Sequence, residues 1–237
     1  MEKALIFYSR IPDEHIVGKT RIGRAIGNQE IANELARSLI LDMLAYYMQF
    51  DGNEYDLIFY HKGHKGAFGI KNAFGVKRFY PTIDAGLGPN MYYIFQNHLP
   101  EYTRIVMIGS DVPLLTIKQI RKAFRALKTH DAVISPVEDK GYSLIAMSKL
   151  ADIFTPVKNF DSRTPGYDLM RETRALCKKQ GLKVKELSTI FDIDEPADVQ
   201  RLWNLIQKKG KLLKKFSYLE HTFPFLAGHK QIFNLSD

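Results

Sequence analysis

The feature that most constrains this chain is an apolar run that stops on a carboxylate, Ile105-Val-Met-Ile-Gly-Ser-Asp-Val-Pro113. Four consecutive branched or long apolar residues with no polar alternation predict a strand buried on both faces, over Arg104–Ile108. Gly109 and Ser110 then deliver Asp111 to the strand's carboxyl end. Open α/β sheets bind their ligands at that edge, and a carboxylate placed there suits a divalent cation held against a diphosphate. The glycine permits close approach of a ligand and Pro113 stiffens the exit. A turn or helix cap at the strand end is the competing local role for Asp111.

The rest of the chain supplies a sheet for such a strand. Leu5-Ile-Phe-Tyr8 is a short apolar run of the same buried kind. A polar loop over residues 9–27 leads into a long helix capped by Asn28. Ile31, Leu35, Leu39, Ala32, Ala36, Ile40, Met43, Leu44 and Tyr47 lie on the inner face of that helix. Further strands are expected at Asp56-Leu-Ile-Phe-Tyr60 and Val76-Lys-Arg-Phe-Tyr80, with an irregular segment between them marked by Gly63, Gly66, Gly69 and Gly75. A helix over residues 89–99 precedes the central strand, and Thr116 caps the helix that follows it. Strands are expected at Ala132-Val-Ile-Ser-Pro136 and Tyr142-Ser-Leu-Ile-Ala-Met147, too close in sequence for a crossover helix and so antiparallel or splayed. A helix ending before Gly181, a strand over residues 184–187 and a helix over residues 196–207 complete the pattern. Such alternation predicts one α/β domain with a mostly parallel mixed sheet and helices on both faces, spanning residues 1–207. Residues 208–237 form a basic-aromatic C-terminal extension.

Composition narrows the function classes. The formal net charge of +8 calls for an anionic partner. No zinc-finger, RNA-recognition or helix-turn-helix signature accompanies it, so a phosphate-bearing small molecule is favoured over specific nucleic acid. The single cysteine, Cys177, excludes an intramolecular disulfide and a thiolate metal cluster, and its helical setting marks it as a packing residue. Met1-Glu-Lys leads straight into a strand, without a signal-peptide pattern, and the run at Leu39 is broken by Asp42; a cytoplasmic chain without a transmembrane segment is expected. The tail mixes Lys208-Lys-Gly-Lys-Leu-Leu-Lys-Lys215 with Phe216, Tyr218, Phe223, Phe225 and Phe233. It suits weak contact with an anionic membrane surface, or docking back onto the domain or onto a second subunit in a homo-oligomer.

Several polar segments are candidates for chemistry. After the first strand come Ser9-Arg10 and Gly18-Lys19-Thr20-Arg21, a loop that is not a Walker A motif because the second glycine of that pattern is absent. It still brings Lys19, Arg21 and backbone N–H groups to one place, as a di- or triphosphate requires; a solvated basic loop is the alternative. Phe191-Asp-Ile-Asp-Glu-Pro-Ala-Asp198 opens the last helix, where Asp194 or Glu195 is suited to capping. On an extended segment Asp192 and Asp194 point to opposite sides, so only one of them is expected to face a shared metal. Asp139, in Glu138-Asp-Lys-Gly-Tyr142, orients an acceptor or serves as general base, or else belongs to a charged hairpin turn. His61 and His64 flank Gly63 in a surface loop.

Four blocks, residues 7–21, 108–116, 135–146 and 191–202, together resemble the bacterial glycosyltransferase-like proteins known as selenodomain-associated transferases. These are members of the GT-A nucleotide-diphospho-sugar transferase superfamily, and the blocks are also similar to guanylyltransferases of the phospholactate and molybdenum-cofactor pathways. The resemblance implies a Rossmann-like GT-A fold with a nucleotide or nucleotide-sugar donor over the first half of the sheet. Lys19, Thr20 and Arg21 match the family's Lys-Thr-Arg and would hold phosphates, with Ser9, Arg10 and Ser110 alongside. Asp111 matches the aspartate of Gly-Ser-Asp-x-Pro and would ligate Mg²⁺ or Mn²⁺; Asp194 matches the second acidic block as a further ligand. The implied catalytic set is Asp111, Asp139 and Lys19. Departures fall in the acceptor half: Asp139-Lys140-Gly141-Tyr142 stands for Asp-Gly-Gly-Tyr, Ala85-Gly-Leu-Gly-Pro-Asn-Met91 for Gly-Asp-Leu-Gly-Glu-Arg-Met, and Phe160-Asp-Ser-Arg-Thr164 for a Trp-Ser-Thr segment. The implied activity is glycosyl transfer, with nucleotidyl transfer to a phosphorylated acceptor, or nucleotide binding without catalysis, as alternatives. The acceptor is unidentified.

Overall fold

The computed structural model describes residues 2–63, 69–72, 75–160, 164–207 and 217–236. Seven strands form one sheet: β1 Lys3–Arg10, β2 Asp56–Lys62, β3 Arg78–Pro81, β4 Arg104–Ile108, β5 Ala132–Pro136, β6 Tyr142–Met147 and β7 Val184–Glu186, in the order β3-β2-β1-β4-β6-β5-β7. All neighbours are parallel except β6, which runs antiparallel to both β4 and β5. The short connection between β5 and β6 forces this reversal, as the spacing predicts. Seven helices are described: α1 Thr20–Ile26, α2 Gln29–Met48, α3 Leu87–His98, α4 Ile117–Ala126, α5 Leu169–Lys179, α6 Pro196–Gln207 and α7 Thr222–Gly228. This is the mixed, mostly parallel Rossmann-like architecture expected from the sequence.

The central position of β1 and β4 follows from their composition. Ile105, Val106, Met107 and Ile108 are all buried, with Val106 and Ile108 facing one core and Ile105 and Met107 the other. A third core joins the inner face of α1 and α2 to α6 and to the described part of the tail: Ile22, Leu35 and Leu39 meet Trp203, Leu219, Leu226 and Phe233. The tail therefore docks back on its own domain. Phe223 stacks on Trp203 at 5.5 Å, the Trp203 indole N–H donates to the Ser236 carbonyl at 2.7 Å, and Tyr218 donates to the Pro113 carbonyl just beyond Asp111. The lysines at 208–215 lie outside the described residues.

Two features go beyond what the sequence pattern announces. The loop over residues 9–27 contains α1, which a seven-residue segment interrupted by Gly23 does not announce; Ile22 holds it down by burial in the third core. Asp42, which interrupts the apolar run of α2, is 1% exposed. Its two carboxylate oxygens accept the N–H groups of His221 and Thr222 at 2.8 and 2.7 Å, tying the tail to α2. Asn28 does cap α2, accepting the Ile31 N–H at 3.1 Å. Cys177 is buried at 1% exposure, and burial pushes its thiol up to about 11, as a packing role requires. Among the described residues no helix is long and apolar enough to cross a membrane.

Candidate active site

At the carboxyl edge of β1 and β4 opens a cavity of about 610 Å³. The register that pairs Phe7 with Ile108 brings the two strand ends together, and Ser9 Oγ lies 2.7 Å from Ser110 Oγ across the pair. Ser9, Arg10, Lys19, Thr20, Arg21, Ser110, Asp111 and Asp194 all line this cavity, although the loop, strand and last-helix segments that carry them are far apart in sequence. Lys62, at the end of β2, adds a cation that the sequence pattern does not single out, since an isolated lysine at a strand end is ordinary.

The loop before α1 places Lys19 in the left-handed backbone region, at φ 48° and ψ 45°. Its side chain is only 10% exposed, and its ammonium lies 3.3 Å from Asp194 Oδ1 and 3.6 Å from Asp111 Oδ2. Arg21 meets the other oxygen of Asp194 at 2.8 Å. Burial works against the charge on Lys19, but the carboxylates of Asp111, Asp194 and Asp192 outweigh it and hold the ammonium above its ordinary value.

Asp192 is the residue that strand logic misplaced. One oxygen from each of Asp111, Asp192 and Asp194 lies within 4.8 Å of the others. Residues 191–195 carry no strand pairing, so the alternation of a pleat does not apply to them; the Ile193 N–H instead donates to the Asp111 carbonyl at 2.8 Å and folds the segment around the end of β4. Glu195 takes the cap position before Pro196, its carbonyl accepting the Asp198 and Val199 N–H groups, while Asp198 Oδ2 accepts the N–H groups of Asp194 and Glu195 at 3.0 and 2.8 Å; the Asp194 carboxylate lines the cavity. Burial, followed by the charges of Asp111, Asp194 and Asp139, lifts the Asp192 carboxyl to about 7. The signal for Asp192 was present in the acidic block itself; the wrong backbone assumption hid it.

Asp139 is not brought to the cavity wall. It occupies the β5–β6 turn, where its Oδ1 accepts the Gly141 N–H at 3.3 Å while Lys140 takes a left-handed φ of 72°. Its neighbour Glu138 pairs with Arg201 of α6 through both carboxylate oxygens, at 2.6 and 2.9 Å. Gly141, Tyr142 and Ser143 from this turn do line the cavity, as do Phe160 and Leu169. His61 is a packing residue, stacked on Phe79 at 4.4 Å, and His64 lies outside the described residues.

Chemically, the three carboxylates offer hard oxygen donors of the kind Mg²⁺ and Mn²⁺ prefer, at mutual distances that one cation spans. Gly109 makes this possible: a Cβ there would stand 2.7 Å from Asp111 Oδ1. Arg10, Lys19, Arg21 and Lys62 line the same cavity, a positive charge of the kind that suits an anionic ligand.

The fold agrees with comparisons to known proteins. Residues 47–159 match the family described as an uncharacterized protein conserved in bacteria, DUF2064. The structure is similar to that of a candidate nucleotide-diphospho-sugar transferase from Desulfovibrio desulfuricans G20, with 25% identity and a TM-score of 0.79 over 98% of this chain and 97% of that one. A cytidylyltransferase from Leptospira borgpetersenii serovar Hardjo-bovis shares the fold at 13% identity and a TM-score of 0.58, covering 100% of this chain and 98% of that one. So does the inositol-1-phosphate CTP transferase from T. maritima, at 12% identity and a TM-score of 0.51, covering 93% and 96%. No curated protein matches the sequence. In fold and over nearly its whole length the chain is thus similar to the Desulfovibrio structure, and its residues 47–159 are similar to the DUF2064 family.

Proposed function

We propose that this protein is a metal-dependent transferase acting on a nucleotide-activated donor, and that its reaction is glycosyl transfer from a nucleotide-sugar to an acceptor hydroxyl. The observation that carries the reading is the convergence of Asp111, Asp192 and Asp194 with Lys19 and Arg21 at one end of the cavity. Asp111, Asp192 and Asp194 would hold Mg²⁺ or Mn²⁺, which when bound neutralises charge on the donor's phosphates. Lys19 and Arg21 exchange their present carboxylate partners for phosphate oxygens and stabilise the departing nucleoside diphosphate. In the transfer the acceptor oxygen bonds to the anomeric carbon, the bond from that carbon to the diphosphate breaks, and the acceptor's proton leaves to a base. We assign the acceptor to the part of the lining made by Val137, Tyr142, Ile145, Phe160 and Leu169, uncharged side chains that suit a hydroxyl acceptor better than a phosphate.

The test is a thermal-shift screen of nucleotides and nucleotide-sugars with and without Mn²⁺, on wild type and Asp111→Ala, followed by assay of nucleoside diphosphate release. Stabilisation that requires Mn²⁺ and vanishes in the variant is the expected result. No response to any nucleotide would sink the reading.

Nucleotidyl transfer is the second reading, favoured by one observation. Four cations, Arg10, Lys19, Arg21 and Lys62, line the cavity, a complement that suits a triphosphate. Pyrophosphate release from a nucleoside triphosphate on adding a phosphorylated acceptor would put this reaction in place of glycosyl transfer.

A further inference from the structure

Asn33 is 4% exposed on the mostly apolar inner face of α2, one turn beyond the Asn28 cap. A buried amide in such a place needs partners, and two of those it finds concern the loop before Lys19. Asn33 Oδ1 accepts the Gly18 N–H at 3.0 Å and the Gln29 side-chain amide at 3.0 Å. The same Gln29 amide donates its other hydrogen to the Gly18 carbonyl at 2.7 Å. The Gly18 N–H and the Gly18 carbonyl are thus both tied to side chains of α2.

The consequence falls on Lys19. The Gly18 carbonyl and the Lys19 N–H belong to one planar peptide unit, and rotation of that plane about the N–Cα bond of Lys19 is the φ angle of Lys19. Fixing the carbonyl therefore fixes φ, here at 48°, a region that lysine seldom adopts unaided. Two glycines leave room for the clamp. A Cβ on Gly23 would stand 2.4 Å from Gln29 Oε1, and one on Gly18 would stand 2.8 Å from Pro12 Cγ and 2.9 Å from Ala36 Cβ. Lys19 Nζ, held this way, reaches Asp194 and Asp111 at 3.3 and 3.6 Å.

We infer that Asn33 and Gln29 are positioning residues for Lys19: they hold its strained backbone so that the ammonium stands at the phosphate end of the cavity. The inference rests on the donor-site reading for its functional consequence and on hydrogen-bond geometry for its structural one, and the experiment separates the two. In the ligand-free protein, acetylation of individual lysines by sulfosuccinimidyl acetate is followed by peptide mass spectrometry. Lys19 is expected to react slowly in wild type and about tenfold faster in Asn33→Leu and in Gln29→Leu, with Lys183 on the far edge unchanged. Asn33→Asp, which keeps an acceptor oxygen for Gly18, is expected to restore protection. Binding of inorganic pyrophosphate with Mn²⁺, measured by calorimetry, is expected to weaken about tenfold in Asn33→Leu but to show no further loss when that change is made in a Lys19→Met background, because residues acting through one another are not additive.

Unchanged Lys19 acetylation in both leucine variants, or full additivity with Lys19→Met, would overturn the inference. Gln29→Leu, at a partly exposed position, keeps the test available if Asn33→Leu does not fold. Faster Lys19 acetylation in the variants, with no pyrophosphate binding by wild type, would support the clamp and refute the donor site.

Discussion

Gly109→Ala isolates the geometry of the carboxylate cluster from its chemistry. The added methyl carbon would stand 2.7 Å from Asp111 Oδ1, and the Asp111 Cγ at 3.7 Å would be next in line. Ordinary carbon–oxygen contact needs about 3.4 Å, so the carboxylate must retreat by about 0.7 Å. Metal–oxygen distances tolerate only about 0.2 Å, which makes the displacement decisive for binding while every ligand is still present. A loss of about tenfold to hundredfold in Mn²⁺ affinity is expected, on the scale seen when the support of a ligand is removed. Folding should not suffer. Gly109 is not among the glycines with positive φ, so alanine fits its backbone, and the stiffer unfolded chain contributes about 0.4–1 kcal/mol in favour of the native state. Mn²⁺ titration followed by electron paramagnetic resonance, with urea unfolding of the same samples, measures both. Equal Mn²⁺ affinity in Gly109→Ala and wild type, with binding lost in Asp111→Ala, would refute the steric reasoning. Mn²⁺ binding that survives Asp111→Ala would refute the cluster itself.

Asp192, lifted to about 7 chiefly by burial and then by its acidic neighbours, makes Mn²⁺ compete with a proton: affinity should rise about tenfold per pH unit below 7 and level off above it. In the ligand-free protein the folded state holds that proton more tightly than the unfolded chain does, so this group's contribution to stability declines as pH rises from the ordinary carboxylate range to about 7, and Asp192→Asn should flatten the decline in urea titrations. Asp42→Ala leaves the His221 and Thr222 N–H groups without their acceptor and should cost about 2 kcal/mol in urea unfolding, whereas a change near zero would mean the tail is held by its apolar contacts alone. Cys177, buried and pushed up to about 11, should resist a disulfide reagent at pH 8 until the protein is unfolded; rapid native labelling would contradict its packing role.

The elements that sequence announced are those whose signals are local and long enough to repeat. β4 is an unbroken apolar run, α2 shows an apolar face over 20 residues behind an asparagine cap, and the short β5–β6 connection leaves only an antiparallel or splayed pair, of which the structure has the first. α1 escaped because seven residues span barely two turns, and its stability lies in where Ile22 is buried rather than in its own pattern. Asp42 reads as an interruption in an apolar run, and Asn33 goes unremarked, because their partners, the N–H groups of Thr222 and Gly18, lie in distant or irregular segments.

By itself, the sequence determined that an α/β sheet with a buried central strand would form, that Asp111 would stand at its carboxyl edge, and that Lys19 and Arg21 would follow the first strand. Those are consequences of chain connectivity and of apolar periodicity. Tertiary structure alone decided that Asp192 joins Asp194 at Asp111 and that Lys19 is turned inward among them. Each of these depends on hydrogen bonds between segments remote in sequence, such as that from the Ile193 N–H to the Asp111 carbonyl, which redirect the backbone after the local preferences of the chain have been spent.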